Sequence, residues 1–261
     1  MAAVHNTQPQ YGTTNNSPSN QGTWMDMPPS VPGCPAGLEY LTQLDQVLVH
    51  QQVELFEAMT DFETKNRYVI KNSLGQQCYF AKEESSLFQR LCCGSERGFE
   101  VKVTDNNGQE VIRMRRRFKC CAGCCWCANS DTCAFFLEVE SPTGTFIGGV
   151  RQSQSCWYPM YEVMDASQKS VFNIEGPCCP ISGPCCTCDF DFVVSTTDDS
   201  ATPVGKITKQ YSGFVKEAFT NATNFSVTFP MDLDVKMKAV LLGASLLIDF
   251  MYFEENQDND S

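Results

Sequence analysis

Val235–Phe253 reads VKMKAVLLGASLLIDFMYF, and the fold turns on what surrounds it. Ala239–Ile248 carries no charge, Asp249 interrupts, and Phe250–Phe253 resumes the apolar run. A helix from Ala239 to Phe253 is about 22 Å long, against about 30 Å of bilayer hydrocarbon. Lys236 and Lys238 before the run, with Glu254 and Glu255 after it, suit a single span whose N-terminal side is cytoplasmic. Against that, the run is short, and Asp249 inside lipid costs several kcal/mol or a proton. The other reading is a helix apolar on all sides and buried inside a protein shell. Runs of this length belong to cores more often than to membranes. The buried helix is therefore preferred, with the span kept as its alternative.

The rest of the composition narrows the classes. A chain of 261 residues, 42% hydrophobic and 19% charged, suffices for one good-sized domain and a tail. A net charge of −12 argues against a nucleic-acid partner. Met1–Gly22 is polar and has neither the basic start nor the apolar core of a signal peptide. Sixteen cysteines without a secretory signal point to a reducing compartment, where thiols serve lipidation, metal binding or packing rather than a disulfide framework. Bond chemistry finds no support. The two histidines, His5 and His50, lie in the tail and in an expected strand, and no phosphate-binding loop is present.

Residues 1–36 are rich in Gln, Asn, Thr, Ser, Pro and Gly and are expected to form a disordered tail. Within it, Pro29-Ser-Val-Pro32 and Pro32-Gly-Cys-Pro35 have the spacing of a polyproline II ligand for an SH3-type partner. From Gly37 the pattern is that of a β-protein. Strands are expected at Gln46–Gln52, Arg67–Lys71, Cys78–Lys82, Phe99–Thr104, Glu110–Phe118, Phe135–Glu140 and Phe146–Gln152. Five more follow at Tyr161–Met164, Ser170–Ile174, Phe190–Ser195, Val204–Gln210 and Asn224–Phe229. Residues 99–152 and 161–210 read as two copies of one unit, each with a Cys-rich turn, a Phe-rich strand and a Gly-containing strand (Gly148, Gly205). About a dozen strands close a barrel too wide for side chains alone to fill, because about eight already give a filled interior. A central helix solves that problem. Val235–Phe253 has the length to be the filling.

Several blocks resemble the phospholipid scramblases: Gly37-Leu-Glu-Tyr-Leu, Asp45-Gln-Val-Leu-Val-His-Gln-Gln52, Asp105-Asn-Asn-Gly-Gln-Glu-Val111 and Gly176-Pro-Cys178. So do Gly205-Lys-Ile-Thr-Lys209 and Phe229-Pro-Met-Asp-Leu-Asp-Val-Lys-Met-Lys-Ala239. The resemblance covers residues 37–255, the expected domain, and leaves 256–261 as an acidic tail. It implies a mainly β fold, a Tubby-like closed barrel of about twelve strands around the C-terminal helix. It implies calcium-stimulated, ATP-independent, bidirectional movement of phospholipids between leaflets, with no substrate bond made or broken. The implied place is the plasma membrane, on its cytoplasmic face or as a single pass with a cytoplasmic N-terminus. A homo-oligomer follows if one helix spans, since one helix forms no headgroup path. The rival function is a palmitoylated signalling adaptor or lipid-binding scaffold.

Two constellations carry the chemistry. Arg113, Arg115, Arg116, Arg117 and Lys119 precede Cys120, Cys121, Cys124, Cys125 and Cys127. An acyl chain beside a basic patch holds a protein to a membrane stably, where one chain alone is marginal. The resemblance makes these five cysteines candidate palmitoyl sites, and the five cations beside them are expected to form a membrane-surface patch, since each basic side chain near an anionic leaflet adds on the order of 1 kcal/mol. Alternating Arg113, Arg115 and Arg117 also suit the solvated face of a strand. Cys121-x-x-Cys124 with Cys185-x-x-Cys188 equally has the paired spacing of a zinc tetrathiolate. The second constellation is Asn221–Asp232, where scramblases carry an EF-hand-like calcium segment. Its ligands here are Asn221, Thr223, Asp232 and the neighbouring Asp234, poor in charge for a cation that needs six to eight oxygens. A strand leading into the helix explains the same residues.

Overall fold

Apolar and polar residues alternate with period two along most of the expected strands, which makes each a ribbon with one face for a core and one for water. The computed structural model describes residues 24–52, 66–85, 96–120, 122–142, 144–178, 189–210 and 224–253. Its strands are β1 (Gln46–Gln52), β2 (Arg67–Lys71), β3 (Gln77–Glu84), β4 (Phe99–Thr104), β5 (Glu110–Arg116) and β6 (Phe136–Glu140). The others are β7 (Phe146–Ser153), β8 (Met160–Asp165), β9 (Ser170–Glu175), β10 (Phe190–Thr196), β11 (Pro203–Gln210) and β12 (Asn224–Thr228). One long helix, α1 (Val235–Tyr252), ends the described chain. Each strand pairs antiparallel with its sequence neighbours, and β12 pairs with β1, so the sheet closes into a twelve-stranded barrel around α1. All twelve expected strands are present, and the C-terminal apolar run is enclosed.

Closure has a local cause. In the hairpins β2–β3, β4–β5, β6–β7, β8–β9 and β10–β11 the register slips by one residue just past the turn, bulging Cys78, Val111, Ile147, Val171 and Val204. A bulge bends and twists its strand, and repeated bulges curve a sheet into a barrel. The turns are clamped by side chains. Oδ1 of Asn72, of Asp105 and of Asp165 each accepts two backbone N–H bonds from residues two and four further on, at 2.8–3.0 Å. The two copies read in the sequence are β4–β7 and β8–β11, and their shared glycines have a shared reason. A Cβ on Gly148 would stand 2.5 Å from the Met164 carbonyl oxygen, and one on Gly205 would stand 2.3 Å from that of Thr228.

Met237 through Phe250 are all buried in α1, so this stretch of the helix has no solvent face. Inward residues of the strands meet it: Phe99, Val101 and Val103 of β4, Ile112 and Met114 of β5, Leu137 and Val139 of β6, Phe225 and Val227 of β12. Phe99 stacks on Phe250 with ring centroids 4.0 Å apart. Asp234 caps the helix, its Oδ1 accepting from Lys236 N–H at 2.8 Å. Lys238 lies wholly inside and donates to the carbonyls of Leu41 (3.0 Å), Leu44 (2.7 Å) and Met231 (2.7 Å). At the other end Asp249 accepts from Tyr68 Oη at 3.0 Å and lies 3.9 Å from Lys209 Nζ.

The single-pass alternative is thereby corrected: among the described residues no helix is long and apolar enough to cross a membrane, and the buried Lys238, Ser245 and Asp249 of α1 have their partners inside the barrel. Nor is the barrel wall dressed for lipid. Glu84, Glu100, Lys102, Arg113, Arg115, Glu138 and Glu140 form ion pairs across its outer face, where a membrane barrel turns an apolar band outward. Order also begins earlier than the composition implied. Met25 N–H bonds to the Gln77 carbonyl at 2.8 Å, and residues 24–36 lie along the barrel. Pro32-Gly-Cys-Pro35 is no polyproline helix, since Cys34 N–H closes a turn onto Val31 O and Gly33 has φ +84°. That removes the second of the two SH3-type motifs.

Candidate membrane-docking face

Antiparallel succession sorts the connections by end. The clamped turns β2–β3, β4–β5, β6–β7, β8–β9 and β10–β11 all fall at one end of the barrel, where α1 enters. The longer connections leave from the other, where α1 finishes at Tyr252. Two of these carry most of the described exposed and half-buried thiols: the β5–β6 connection bears Cys120, Cys124, Cys125, Cys127 and Cys133, and β7–β8 bears Cys156. Cys178, just past β9, joins them at this end.

The β5–β6 connection is held in place by buried Gln152 of β7. Its Nε2 donates to Gly123 O at 3.1 Å, and its backbone N–H donates to Phe135 O at 2.9 Å. Lys119 Nζ closes the same loop on itself, donating to the carbonyls of Asp131 and Ala134. The two connections then bond to one another. Trp126 Nε1 donates to Cys156 O (3.0 Å), Ser155 N–H to Cys125 O (3.1 Å), and Gln154 Nε2 to Trp126 O (2.9 Å). Between them lies a groove of about 310 Å³ walled by Cys124, Cys125, Trp126, Trp157 and Tyr252. Trp126 and Trp157 are 65% and 73% exposed, and Phe118 at the loop's start is 45% exposed. Indoles left in water at such levels are unusual for a core former and suit the headgroup boundary of a bilayer.

The basic run does not behave as one patch. Arg116 points inward and is 1% exposed, its guanidinium between the rings of Phe99 (4.6 Å) and Phe135 (4.2 Å) and its Nη2 donating to Arg97 O at 2.7 Å. The membrane-surface role expected of it is wrong, because odd and even residues of β5 face opposite sides of the sheet. Arg113 pairs with Glu110 and Glu100, Arg115 with Glu138 and Glu140, and Arg117 with Glu138. Glutamates therefore answer the outward cations, which leaves little charge for an anionic leaflet to attract. The pattern is the solvated strand face.

Of the expected acyl sites, Cys120 and Cys124 are exposed and Cys125 and Cys127 half-buried; Cys121 lies outside the described residues. Zinc has no support among the described residues, which contain no group of three or more ligands placed to hold a metal. Cys185 and Cys188 lie outside them, as do Asn221 and Thr223. The expected calcium segment contains β12, whose backbone is bonded on one side to β1 and on the other to β11. A strand locked in two ladders does not wrap around a cation. Asp232 is exposed beyond it, and Asp234 is occupied as the helix cap. Sequence reasoning overlooked Cys156 and Trp157. The signal was present: Cys125-Trp126 and Cys156-Trp157 are two Cys–Trp dipeptides at matching ends of neighbouring strand pairs.

A family model described as Scramblase matches residues 25–255. Phospholipid scramblase 1 of Rattus norvegicus is 46% identical over 255 residues, covering 97% of this chain and 72% of its own length. Its counterpart in Homo sapiens is 47% identical over 231 residues (88% and 70%), and phospholipid scramblase 2 of Bos taurus is 46% identical over 234 (90% and 77%). No solved structure matches the chain. With nearly every described residue inside the matched span and close to half of the aligned positions identical, the chain belongs to the phospholipid scramblase family.

Proposed function

We propose that this protein moves phospholipids between leaflets in both directions and without ATP, from a seat on the membrane surface rather than by a spanning helix. The observation that carries the reading is the crowding of exposed indoles and thiols at one barrel end, with α1 buried in the wall it would otherwise have to leave. Palmitoyl chains on Cys120, Cys124, Cys125 and Cys127 supply the grip, and Trp126 and Trp157 the second signal that one acyl chain needs. Charge contributes little, because the outward arginines are paired and the whole chain is acidic. The seat belongs on the cytoplasmic face of the plasma membrane, where thioesters on free thiols persist. Since α1 fills the barrel, the headgroup path runs outside it, through bilayer thinned beneath the docked end or between copies of the protein.

Calcium stimulation belongs to the same proposal, with Asp232 as an exposed carboxylate of the link between β12 and α1. So few carboxylates give a response only at roughly millimolar calcium. Asp232→Asn is expected to remove most of that response in a vesicle assay and to leave basal scrambling unchanged.

The filled interior also favours a second reading, an acylated adaptor that binds lipid without moving it. Acylated protein in vesicles carrying a fluorescent lipid separates the two when outer-leaflet dye is quenched by dithionite. Quenching that proceeds past the outer half supports scrambling. Quenching that stops there, with calcium supplied and the protein bound, leaves the adaptor. Binding has its own readout: each fully buried indole contributes at least about 1.5 kcal/mol, so Trp126→Ala and Trp157→Ala should each weaken vesicle binding about tenfold. Unchanged partitioning of the double variant would remove this end of the barrel as the docking face.

A further inference from the structure

We propose that Cys124 and Cys127 form a reversible dithiol–disulfide pair, with Cys124 as the attacking thiol. They are the ends of a Cys-x-x-Cys stretch wound into a single 3-10 turn, Cys125–Cys127, which sets them one turn apart on one side of the loop. Cys127 Sγ donates to Cys124 O at 3.7 Å, and Cys124 is exposed where Cys127 is half-buried. The backbone N–H groups of Trp126 and Cys127 favour the thiolate form of Cys124. Those donors pull the Cys124 thiol below its ordinary pKa, Trp126 N–H foremost. Cys127, which donates toward Cys124 and Cys133, is pushed up to about 11. The two thiols thus differ in the sense a redox pair needs: an exposed nucleophile, and a resolving thiol held protonated beside it.

The oxidant is a peroxide. Cys124 thiolate attacks one peroxide oxygen, forming S–O and breaking O–O, and the departing hydroxide takes a proton to become water. Cys127 sulfur then attacks the Cys124 sulfenic acid, forming S–S, and the sulfenic oxygen leaves as a second water. Two thiols lose two electrons and one peroxide gains them. Exchange with a small thiol reverses the step. In the acylation reading given above, on which this consequence rests, oxidation withdraws two acyl acceptors from the docking face, so membrane grip falls as peroxide rises.

The test uses the full chain, reduced and then treated with hydrogen peroxide at neutral pH, blocked with N-ethylmaleimide, and cut with trypsin and chymotrypsin. Cleavage after Trp126 separates the two cysteines. The expected product joins the peptide ending at Trp126 to the one beginning at Cys127. Cys124→Ser should abolish it, Cys125→Ser should leave it intact, and Cys127→Ser should leave a sulfenic acid that dimedone traps. Iodoacetamide at pH 7 should modify Cys124 about tenfold faster than Cys127. A link that survives Cys124→Ser, vanishes in Cys125→Ser, or joins Cys127 to Cys133 overturns the pair. Acyl-exchange labelling of oxidised against reduced protein reads the consequence separately. A several-fold drop is expected; equal labelling with the disulfide formed would sink the acylation reading of these thiols and leave the pair standing.

Discussion

Lys238→Met is expected to lower the unfolding midpoint by roughly 6–12 °C, at about 2–4 °C per kcal/mol for a domain of this size. The lysine is fully enclosed and yet satisfied, its three ammonium protons going to the carbonyls of Leu41, Leu44 and Met231. Methionine fills the same volume and bonds none of them. A buried acceptor stripped of its partner costs about 1–3 kcal/mol, so three together come to about 3 kcal/mol or more after relaxation. Burial lowers the lysine's own pKa, with Asp45 and Asp232 acting the other way, so removing the charge recovers part of the loss. The contacts tie the start of α1 to the turn before β1 and to the β12–α1 link, so the variant loosens the barrel where its first and last strands meet. Lys236→Met is the control. Its side chain is half-exposed and its neighbours are unchanged, so it should stay within about 0.5 kcal/mol. Equal midpoints for the two variants, by calorimetry or denaturant titration, would show that Lys238 is not the clamp.

At the opposite end of α1 the expected result depends on pH. Asp249→Ala leaves Lys209 inside the barrel without its carboxylate. Breaking a buried pair costs about 3–5 kcal/mol, and the loose 3.9 Å separation puts this one near the lower figure. Burial lowers Lys209 to about 8, with Asp249 opposing that shift. Burial also raises Asp249, against the pull of Lys209 and the Tyr68 hydroxyl. Because the folded Lys209 pKa lies below the unfolded value of 10.5, the unfolded chain binds more protons between about 8 and 10.5, and stability rises with pH there. The attraction to Asp249 is fully present below about 8 and is lost as Lys209 deprotonates. The deficit of Asp249→Ala should therefore be greatest near pH 6.5 and should shrink markedly by pH 9. Asp249's own raised pKa acts in the opposite sense, weakening the pair as pH falls, so the loss toward pH 9 is the part that reports Lys209. Urea midpoints of both proteins at the two pH values check it, and a deficit constant across them would mean that Lys209 is not the partner.

Both residues explain why the C-terminal run was ambiguous as a string. Lys236, Lys238 and Asp249 look like flanks and a flaw in a membrane span, and nothing in their spacing says otherwise. Their partners come from Leu41, Leu44, Tyr68 and Lys209, far away in sequence, and only closure of the sheet brings them near. The twelve strands were legible for the opposite reason. Period-two alternation and Asn-Gly or Asp-x-x-Gly turns are local properties, and each hairpin settles its own register within a few residues.

The candidate site divides the same way. A run of thiols beside arginines was visible, and so was its resemblance to scramblase acylation segments. Which arginines face water was misjudged at Arg116, because its neighbours in the string hide that it sits on the inward phase of β5, between Phe99 and Phe135. Apart from Glu110 the neutralising glutamates come from β4 and β6, and the second indole from the β7–β8 connection, so these were not to be found by reading around Cys124. By itself the sequence determined the strand count, the family and the need for something apolar at the barrel's centre, since these rest on short-range periodicity and on composition. Tertiary structure alone decided that α1 is that filling, that the basic run is half spent on ion pairs, and that indoles and thiols share one end. Each of those depends on residues that meet only when the last strand pairs with the first.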